Sequence, residues 1–355
     1  MQNNWSRRYD FVALEADQLA SMLHPVFPGR QVTSVELLTA GLVNTNYKIR
    51  VSGLDEAFVL RIYLRDQEAC ARDRAIFELV QDQVPVPELL YTHIAEVRSE
   101  TNNTYTDSVQ YETVYPTKTS GNTHFTYAVM KWVDGVLLSD VLAGKDDTAI
   151  AECAYDAGVK LANIGKHTFP QAGFFGPDLT VAQPFPEGDG GFLSPIEQFL
   201  FKERGGQRLG PVLRDQLWQF VTDNVDYLKA QDEAPPSLVH ADYKGFNILV
   251  RQEPGHWRIS AVLDWEFAFA GSQLTDIANM LRYDRMHPPA FEAQFIQGFQ
   301  DQGGHLPVQW KRASKLVDLL SLCYFMNSPI PDDARLTETT GLIVGTMDHW
   351  EEYAR

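Results

Sequence analysis

Cysteine is scarce in this sequence. Three cysteines occur among 355 residues, at Cys70, Cys153 and Cys323, and no two of them form a C-x-x-C pair. Such wide spacing argues against a disulfide framework and against a structural zinc site. Cysteines without pairs are typical of a reducing compartment, so we expect a cytoplasmic protein.

Long apolar runs are also missing. The first twenty residues, MQNNWSRRYDFVALEADQLA, contain no continuous apolar segment after their two arginines, which predicts that they are not a signal peptide. The most apolar late segment, VDLLSLCYFM, is too short and too interrupted to cross a bilayer. We therefore expect no membrane partner.

Basic residues are few relative to acidic ones. The chain has 30 Lys and Arg against 47 Asp and Glu, which gives a formal net charge of −17. Because nucleic-acid binding needs clustered Lys and Arg opposite the phosphates, this balance argues against a nucleic-acid partner. An acidic surface attracts a cationic substrate over long range or serves only solubility, and the charge does not choose between the two. The G-x-S-x-G and H-E-x-x-H motifs of two hydrolase classes are absent as well.

The residues that are present divide into two regions with different periodicity. In the first region VTSVELL, YKIRV and AFVLRIYL alternate as strands do, residues 66–83 have a helical pattern, and FTYAVMKWV is typical of a buried strand. Helical patterns dominate afterwards, at 147–166, 194–204 and 211–230 and again from about 289. We expect a hairpin or loop over 97–124 and an irregular loop over 168–193.

These patterns predict an α+β fold with two lobes. We place a β-rich first lobe with one main helix at 1–130, a hinge at 131–135, and a mostly helical second lobe at 136–355. The sequence indicates no oligomeric state.

The motif HADYKGFN stands between the apolar stretches SLV and ILV. Phosphoryl transfer needs a carboxylate that aligns the acceptor hydroxyl and a metal ion held on the phosphates. Asp242 supplies the first, as a base for the hydroxyl proton, and the carboxamide oxygen of Asn247 is a hard ligand for Mg²⁺. We interpret His240 as a packing residue that holds this loop.

A second motif, VLDWE, ends an apolar stretch in a carboxylate. Asp264 is the natural second ligand for Mg²⁺, whereas Glu266 either assists it or is structural. Asp276 opens the helical pattern DIANMLRY, where it caps the helix or braces the catalytic loop, and we favour bracing.

HADYKGFN followed by LDWE resembles the catalytic and metal-binding motifs of the aminoglycoside phosphotransferase and choline kinase group, which has the protein-kinase-like fold. ELLTAGLVNTNYKIRV is similar to the nucleotide-binding hairpin of that group, FVLRIY to its third strand and YAVMKWVDG to its hinge. These segments, with VPVPELL, cover most of residues 35–285 in order and spacing. The resemblance implies a small-molecule kinase with ATP or GTP as co-substrate and Mg²⁺ as cofactor.

The resemblance also assigns nucleotide-binding roles. It implies that Asp242 is the catalytic base, that Asn247 and Asp264 bind the metal, and that Arg61 contacts the α- and β-phosphates. Asp73 fits best as the carboxylate that pairs with Arg61. Glu78 and Glu68 are its rivals.

For the nucleotide base, the resemblance implies a gatekeeper at Met130 and hydrogen bonds to the adenine edge from the backbone of residues 131–133, between Lys131 and Val133. The glycine hairpin departs from the protein-kinase pattern, since Gly41 alone remains of several expected glycines. Phosphate contact there falls to the backbone amides of residues 42–45 and to the side chain of Asn44 or Thr45.

Several alternatives stay open. Lys244 either touches the γ-phosphate or is a surface lysine, and LANIGKH has Gly165 where the group often has histidine. A protein kinase is disfavoured because LDWE replaces D-F-G and no A-P-E-like segment follows. A pseudokinase is disfavoured because Asp242, Asn247 and Asp264 are all intact.

The acceptor is the least defined partner. Aminoglycosides, amino alcohols and related metabolites are all substrates in the group. The acidic residues of the 168–193 and neighbouring segments either hold a cationic substrate or are solvated; these are Asp178, Glu187, Asp189 and Glu197.

Overall fold

The structure is a computed structural model, and it describes residues 5–7, 9–95, 125–186, 188, 190–231, 234–330 and 332–354. The hairpin or loop predicted over 97–124 lies outside the described residues, as do Glu187 and Asp189.

An antiparallel sheet forms the first lobe. Its described strands are β1 (Val32–Leu38), β2 (Thr45–Val51), β3 (Ala57–Ile62), β4 (Leu89–His93) and β5 (Tyr127–Lys131), in the order β1-β2-β3-β5-β4. Period-2 alternation places Tyr47, Ile49 and Val51 of β2 on the buried face, as a half-buried strand requires. In the described part of the first lobe, helices α1 (Ala16–Leu23) and α2 (Ala69–Val80) accompany the sheet, and α2 is the longer one.

Helices account for most of the second lobe. They are α3 (Leu138–Ala143), α4 (Asp147–Ile164), α5 (Gly190–Glu197), α6 (Arg204–Leu209), α7 (Pro211–Asn224), α8 (Leu274–Met280), α9 (Pro289–Asp301), α10 (Trp310–Met326) and α11 (Asp333–Asp348). Short 3₁₀ segments follow at Val225–Gln231, Gly245–Asn247, Asp284–Met286 and Trp350–Ala354, and a π-helical turn occupies Gln198–Lys202.

Two small sheets in the second lobe carry the functional loops. The strands are β6 (Val136–Leu137), β7 (Gly173–Phe175), β8 (Val181–Pro184), β9 (Ser237–Val239), β10 (Ile248–Glu253), β11 (His256–Val262) and β12 (Phe269–Gly271). They form the described sheets β11-β10-β6 and β8-β7-β12-β9. The expected α+β class and the mostly helical second lobe are confirmed.

The expectation of an irregular loop over 168–193 was wrong. This segment contains β7 and β8 and the first turn of α5, and β7 pairs with β12 so that Phe174 lies opposite Phe269. These strands are three and four residues long, and their partner is distant in sequence, so local periodicity gives no sign of them.

Helices α4 and α9 pack at unusually close range. Gly158 of α4 and Gly298 of α9 face each other across the contact, and an added Cβ atom would lie 1.9 Å from the Phe295 carbonyl oxygen and 2.0 Å from the Tyr155 carbonyl oxygen, respectively. Absence of both side chains therefore lets the two backbones meet and form the centre of the second-lobe core.

The sheet of the first lobe ends at Lys131, and β6 already pairs with β10 of the second lobe. We therefore propose that the lobes divide within residues 131–135. Of the helices that the structure describes, none combines the length and apolar character needed to cross a membrane.

Candidate active site

The HADYKGFN segment forms a loop between β9 and β10. Its first residues leave the sheet beside β12, because Val239 pairs with Phe269, and its last residues form the 3₁₀ turn Gly245–Asn247. Ala241 has a φ of 65°, in the left-handed region that non-glycine residues rarely adopt. The strain is held by surrounding hydrogen bonds and is typical of a functional loop.

Asp242 lies at the centre of this loop. Its Oδ1 atom is 2.6 Å from Lys244 Nζ, and its Oδ2 atom accepts a hydrogen bond of 2.7 Å from Asn247 Nδ2. The same Asn247 nitrogen donates to the Asp242 carbonyl at 2.9 Å. The carboxylate is thus fixed in orientation by two neighbours while 17% of its side chain stays exposed to the cleft.

His240 supports the loop from below. Its Nδ1 atom accepts a hydrogen bond from the Asp242 backbone N–H at 3.2 Å, so Nε2 carries the proton that it donates to the Leu263 carbonyl at 2.9 Å. The ring is fully buried against Trp265, and burial lowers its pKa, which keeps it neutral. The interpretation of His240 as a packing residue is confirmed.

Asp276 braces the catalytic loop, as predicted. Its two carboxylate oxygens each accept a backbone hydrogen bond of 2.8 Å, one from His240 and one from Ala241. Asn279 adds a bond of 2.8 Å to the Ala241 carbonyl. Burial raises the pKa of Asp276 to about 7, although the two N–H donors lower it.

Behind Asn279 lies a buried pair that the sequence pattern did not reveal. Arg282 donates to Asn279 Oδ1 at 2.7 Å and to Asp318 of α10 at 2.6 Å. The chain of contacts therefore links the strained loop to α8 and α10. An arginine and an aspartate 36 positions apart give no local signal of this pairing.

Asp264 follows β11 and faces Arg61 of β3. The Arg61 Nη2 atom donates to Asp264 Oδ1 at 2.5 Å, which joins the two lobes across the cleft. Burial alone raises the pKa of Asp264, but the Arg61 guanidinium outweighs this and holds that pKa below its usual range. Asp264 has a φ of 68°, the second strained position at this site, and 32% of its side chain is exposed.

Asp73 of α2 is buried beside Arg61 without a direct ion pair. Its Oδ2 atom accepts the Tyr63 hydroxyl at 2.7 Å, whereas Asp73 Oδ1 and Arg61 Nε have no hydrogen-bond partner among the described residues. Burial raises the pKa of Asp73 to about 7. The rivals Glu68 and Glu78 are exposed and contact Arg72 and Arg74 instead.

Glu266 is the residue whose role the sequence left undecided. It is buried, and its Oε2 atom accepts a hydrogen bond of 3.0 Å from Asn44 Nδ2 and lies 3.8 Å from Arg65. Asn44 Oδ1 accepts from the Leu64 backbone at 3.2 Å. The Asn44 side chain is therefore occupied within the protein, which leaves its backbone for phosphate contact.

The loop between β1 and β2 lines the cleft opposite Asp264. Gly41 has no left-handed φ, and a Cβ atom there would meet Asn44, Asn46 and Arg7 only at ordinary distances of 3.6 to 3.9 Å. Thr45 is fully buried, and its hydroxyl accepts from the Val12 backbone at 3.1 Å. Neither position supplies a side chain that points at a ligand, and Thr45 does not line the cleft, so the expected contact narrows to the amides of residues 42–44.

The hinge segment follows β5. Met130 is buried, Lys131 N donates to the Glu88 carbonyl at 2.9 Å, and Trp132 N donates to the Ala57 carbonyl at 3.0 Å. Within the described part of the chain, the Val133 amide has no backbone acceptor. Val133 is thus the hinge donor that remains for a ligand.

The donor atoms suit Mg²⁺. Both hydrogen bonds of Asn247 use Nδ2, which leaves its carboxamide oxygen as a hard ligand beside the partly exposed Asp264 carboxylate. Among the described residues no group of three or more His, Cys, Asp or Glu side chains forms a metal cluster. Mg²⁺ does not require one, because it is usually held by one or two protein ligands together with substrate phosphates.

One described cleft is lined by the candidate catalytic, metal-binding and nucleotide-binding residues. Its volume is about 3110 Å³, well above that of a pocket for one small ligand. It has room for a nucleotide and a second molecule. Its described lining includes Gly41, Arg61, Met130, Val133, Asp242, Asn247 and Asp264.

Gly165 stands in the LANIGKH segment where the resembled group often has histidine. A Cβ atom at Gly165 would lie 2.2 Å from the side chain of Gln273, which donates to the Leu161 carbonyl at 3.1 Å. The Gln273 amide thus fills the space that a larger residue would take.

Comparisons with known proteins agree with this geometry. A family model described as the phosphotransferase enzyme family (APH) matches residues 34–311. No curated protein matches the chain with significance.

Solved structures match over nearly the whole chain. Aminoglycoside phosphotransferase APH(4)-Ia has a TM-score of 0.65 at 17% identity, covering 94% of this chain and 99% of its own. A GDP complex of aminoglycoside 2′-phosphotransferase-IIIa has a TM-score of 0.63 at 16% identity, with 96% and 100% coverage. Macrolide 2′-phosphotransferase MphH from Brachybacterium faecium has a TM-score of 0.60 at 15% identity, with 92% and 97% coverage. The expected two-lobed kinase-like fold is confirmed.

Proposed function

Because this chain belongs to the phosphotransferase enzyme family, we propose that it transfers the γ-phosphate of ATP or GTP to a hydroxyl group of a small molecule. The observation that carries this proposal is the convergence of Asp242, Asn247, Asp264 and Arg61 on one cleft from three separate stretches of sequence. This is the set of groups that phosphoryl transfer requires.

Asp242 acts as the base in this proposal. Its carboxylate accepts the proton of the acceptor hydroxyl, the hydroxyl oxygen bonds to the γ-phosphorus, and the bond from that phosphorus to the β–γ bridging oxygen breaks. Asn247 and Lys244 hold the carboxylate in one orientation beforehand, so no rearrangement of the base is needed. Lys244 also adds a positive charge beside the transferred group.

Asn247 and Asp264 would hold Mg²⁺, which supplies charge neutralisation on the phosphates when it is bound. Asp264 pairs with Arg61 through Oδ1. Arg61 Nε and Asp73 Oδ1 are both buried without a hydrogen-bond partner among the described residues, so a shift of the arginine toward α2 would pair them and free the remaining guanidinium N–H groups for phosphate oxygens.

The nucleotide base would lie against the hinge, between Met130 and the free amide of Val133. The amides of residues 42–44 would face the phosphates. Binding of GDP by a protein of this fold supports a purine nucleotide as co-substrate.

For the acceptor, the proposal is a small hydroxylated molecule with a ring or another apolar face. Phe174, Phe185 and Phe269 form a triangle of edge-to-face rings on the second-lobe cleft wall, with centroids 4.9 to 6.0 Å apart, and Phe174 is 51% exposed. Aminoglycosides and macrolides, the substrates named for proteins of this fold, both carry such faces.

Few of the described acidic residues are placed to bind a cationic acceptor. Asp178 is used by the N–H and hydroxyl of Thr180, and neither Asp178 nor Glu197 lines the cleft. Outside the catalytic cluster, the described cleft lining offers the carboxylates of Asp140 and Glu203.

The direct test measures ADP and GDP release with Mg²⁺ across a panel of aminoglycosides, macrolides, amino alcohols, homoserine and ketosamines. Asp242→Asn is the control variant, and we expect it to lower kcat by about 10²- to 10⁴-fold because it removes the base. Its affinity for the nucleotide, measured by calorimetry, should stay within about twofold.

Acceptor-dependent release that the variant loses would support the kinase and identify its acceptor class. Equal release by the wild type and Asp242→Asn would contradict the assigned base. A wild type that binds nucleotide but responds to no compound in the panel would redirect the search to a protein acceptor or a scaffold role.

A further inference from the structure

Residues 5–7 lie across both lobes at the mouth of the cleft. Both Trp5 and Arg7 belong to the cleft lining. The segment precedes the family-matched region 34–311, and α11, which it contacts, follows that region. The contact therefore joins two parts of the chain that the shared family pattern does not include.

The segment is anchored on α11. Asp332, the N-cap of that helix, accepts a hydrogen bond of 2.6 Å from the Ser6 backbone. The Trp5 indole N–H donates to Glu338 at 2.9 Å, and the ring packs edge-on against Phe325 at 5.3 Å. Arg335 lies over the other side of the Trp5 ring at 4.9 Å.

From this anchor the Arg7 side chain reaches the loop between β1 and β2. Its guanidinium donates to the carbonyls of Gly41 at 2.5 Å, Val43 at 2.8 Å and Asn44 at 2.8 Å. It also stacks over the Phe11 ring at 3.8 Å, which fixes the plane of the fork. One arginine thus binds three of the four carbonyls in residues 41–44.

Because Arg7 holds these carbonyls, it also orients the amides of the same loop. A peptide whose C=O points at a cation has its N–H pointing the other way, and a charge-assisted hydrogen bond polarises the peptide further. With the carbonyls held by Arg7, the loop amides gain a fixed orientation and become stronger donors toward anionic oxygens. This compensates for the glycines that the loop lacks, since orientation here comes from a side chain instead of from backbone freedom.

We propose that Arg7 is a positioning residue that sets the phosphate-binding conformation of residues 41–44 from an anchor on α11. The inference rests on the proposed function, because it concerns the same nucleotide site. It assigns phosphate affinity to a residue outside the family-matched region.

The test compares Arg7→Gln and Arg7→Lys with the wild type by calorimetry, using MgATP, MgGTP, adenosine and guanosine as probes. We expect Arg7→Gln to weaken binding of the preferred triphosphate about tenfold, or about 1.4 kcal/mol, and to leave nucleoside binding unchanged. The triphosphate affinity of Arg7→Lys should lie between those of the wild type and Arg7→Gln, because an ammonium keeps the charge but lacks the two-pronged donor geometry of a guanidinium. Arg30→Gln is the matched control, since Arg30 also donates to a backbone carbonyl of the first lobe, that of Ser52, and lies outside the described cleft lining.

The outcomes separate this inference from the function on which it rests. A wild type that binds neither triphosphate would contradict the proposed function itself. Wild-type binding together with an Arg7→Gln dissociation constant within twofold of it would overturn only the role of Arg7. Equal weakening for triphosphate and nucleoside would also overturn it, because that pattern indicates a general loss of first-lobe structure. Melting curves identify a variant that does not fold, in which case Arg7→Lys carries the comparison.

Discussion

Arg61 contacts Asp264, and neither its Nε atom nor the Oδ1 atom of the nearby Asp73 has a hydrogen-bond partner among the described residues. If the arginine moves to Asp73 when Mg²⁺ and nucleotide bind, Asp73→Asn should weaken nucleotide binding about fivefold to tenfold, because a hydrogen bond between charged groups is replaced by one to a neutral amide. Calorimetry with MgATP and MgGTP measures this effect.

Glu68→Gln and Glu78→Gln are the matched controls for that variant. Both carboxylates are on α2 or at its start, but they are exposed and pair with other arginines, so we expect unchanged nucleotide affinity. A loss in either control equal to that in Asp73→Asn would reassign the partner of Arg61.

Asp276 should make the free energy of unfolding depend on pH. Burial raises its folded-state pKa to about 7 from a usual value of 3.8, so the folded chain binds a proton that the unfolded chain has already lost. The contribution of this group to the free energy of unfolding therefore decreases as the pH rises from about 4 to about 7. The nearby Asp242 carboxylate acts in the same direction.

Urea unfolding at several pH values tests this dependence. The difference in unfolding free energy between the wild type and Asp276→Asn should decrease between pH 4 and pH 7, because the asparagine does not titrate. A difference that stays constant over this range would show that Asp276 is ionised throughout.

Between elements, the contact of α4 with α9 depends on two glycines. Gly158→Ala places a methyl group 1.9 Å from the Phe295 carbonyl oxygen, and backbone atoms cannot move aside as a flexible side chain does. We expect a loss of about 1–3 kcal/mol in the free energy of unfolding, measured by urea titration.

Gly341→Ala and Gly345→Ala are controls of the same chemistry within α11. Nothing lies within 4 Å of a Cβ atom at either position, so the helix propensity of alanine should stabilise the chain by up to about 1 kcal/mol. If Gly158→Ala behaved like these controls, the close approach of α4 and α9 would be contradicted.

Element prediction succeeded where the periodicity is long. The helix expected at 147–166 is α4, Asp147–Ile164, and the strand expected within FTYAVMKWV is β5. It failed for β7, β8 and β12, because strands of three or four residues acquire their stability from partners far along the chain. The aromatic triangle on the cleft wall was missed for the same reason.

At the scale of the whole molecule, we expect ligand binding in the cleft between the lobes to stabilise the folded chain. Mg²⁺ with the preferred nucleotide, at about 100 times its dissociation constant, should stabilise the folded chain by about 2.7 kcal/mol and raise Tm by on the order of 3 °C. Differential scanning fluorimetry with and without a chelator measures the Mg²⁺-dependent part. In Asp264→Asn that part should vanish, while the shift that the nucleotide produces in the presence of chelator remains.

The sequence by itself determined which residues make up the candidate site. The spacing of Asp242 and Asn247 between two apolar strands, followed by Asp264, was sufficient to predict a candidate phosphoryl-transfer site, because these residues lie on one hairpin and at its exit. Local geometry brings such groups together in any chain that forms the hairpin.

Tertiary structure alone decided which groups from distant parts of the chain meet. Arg61 with Asp264, Asn44 with Glu266, and Arg7 with the loop at Gly41 are separated by 203, 222 and 34 positions. Each pair depends on the packing of distant elements, and a buried charge selects its partner by the desolvation that packing imposes. No periodicity in the sequence encodes that selection, which is why these contacts became visible only in the folded chain.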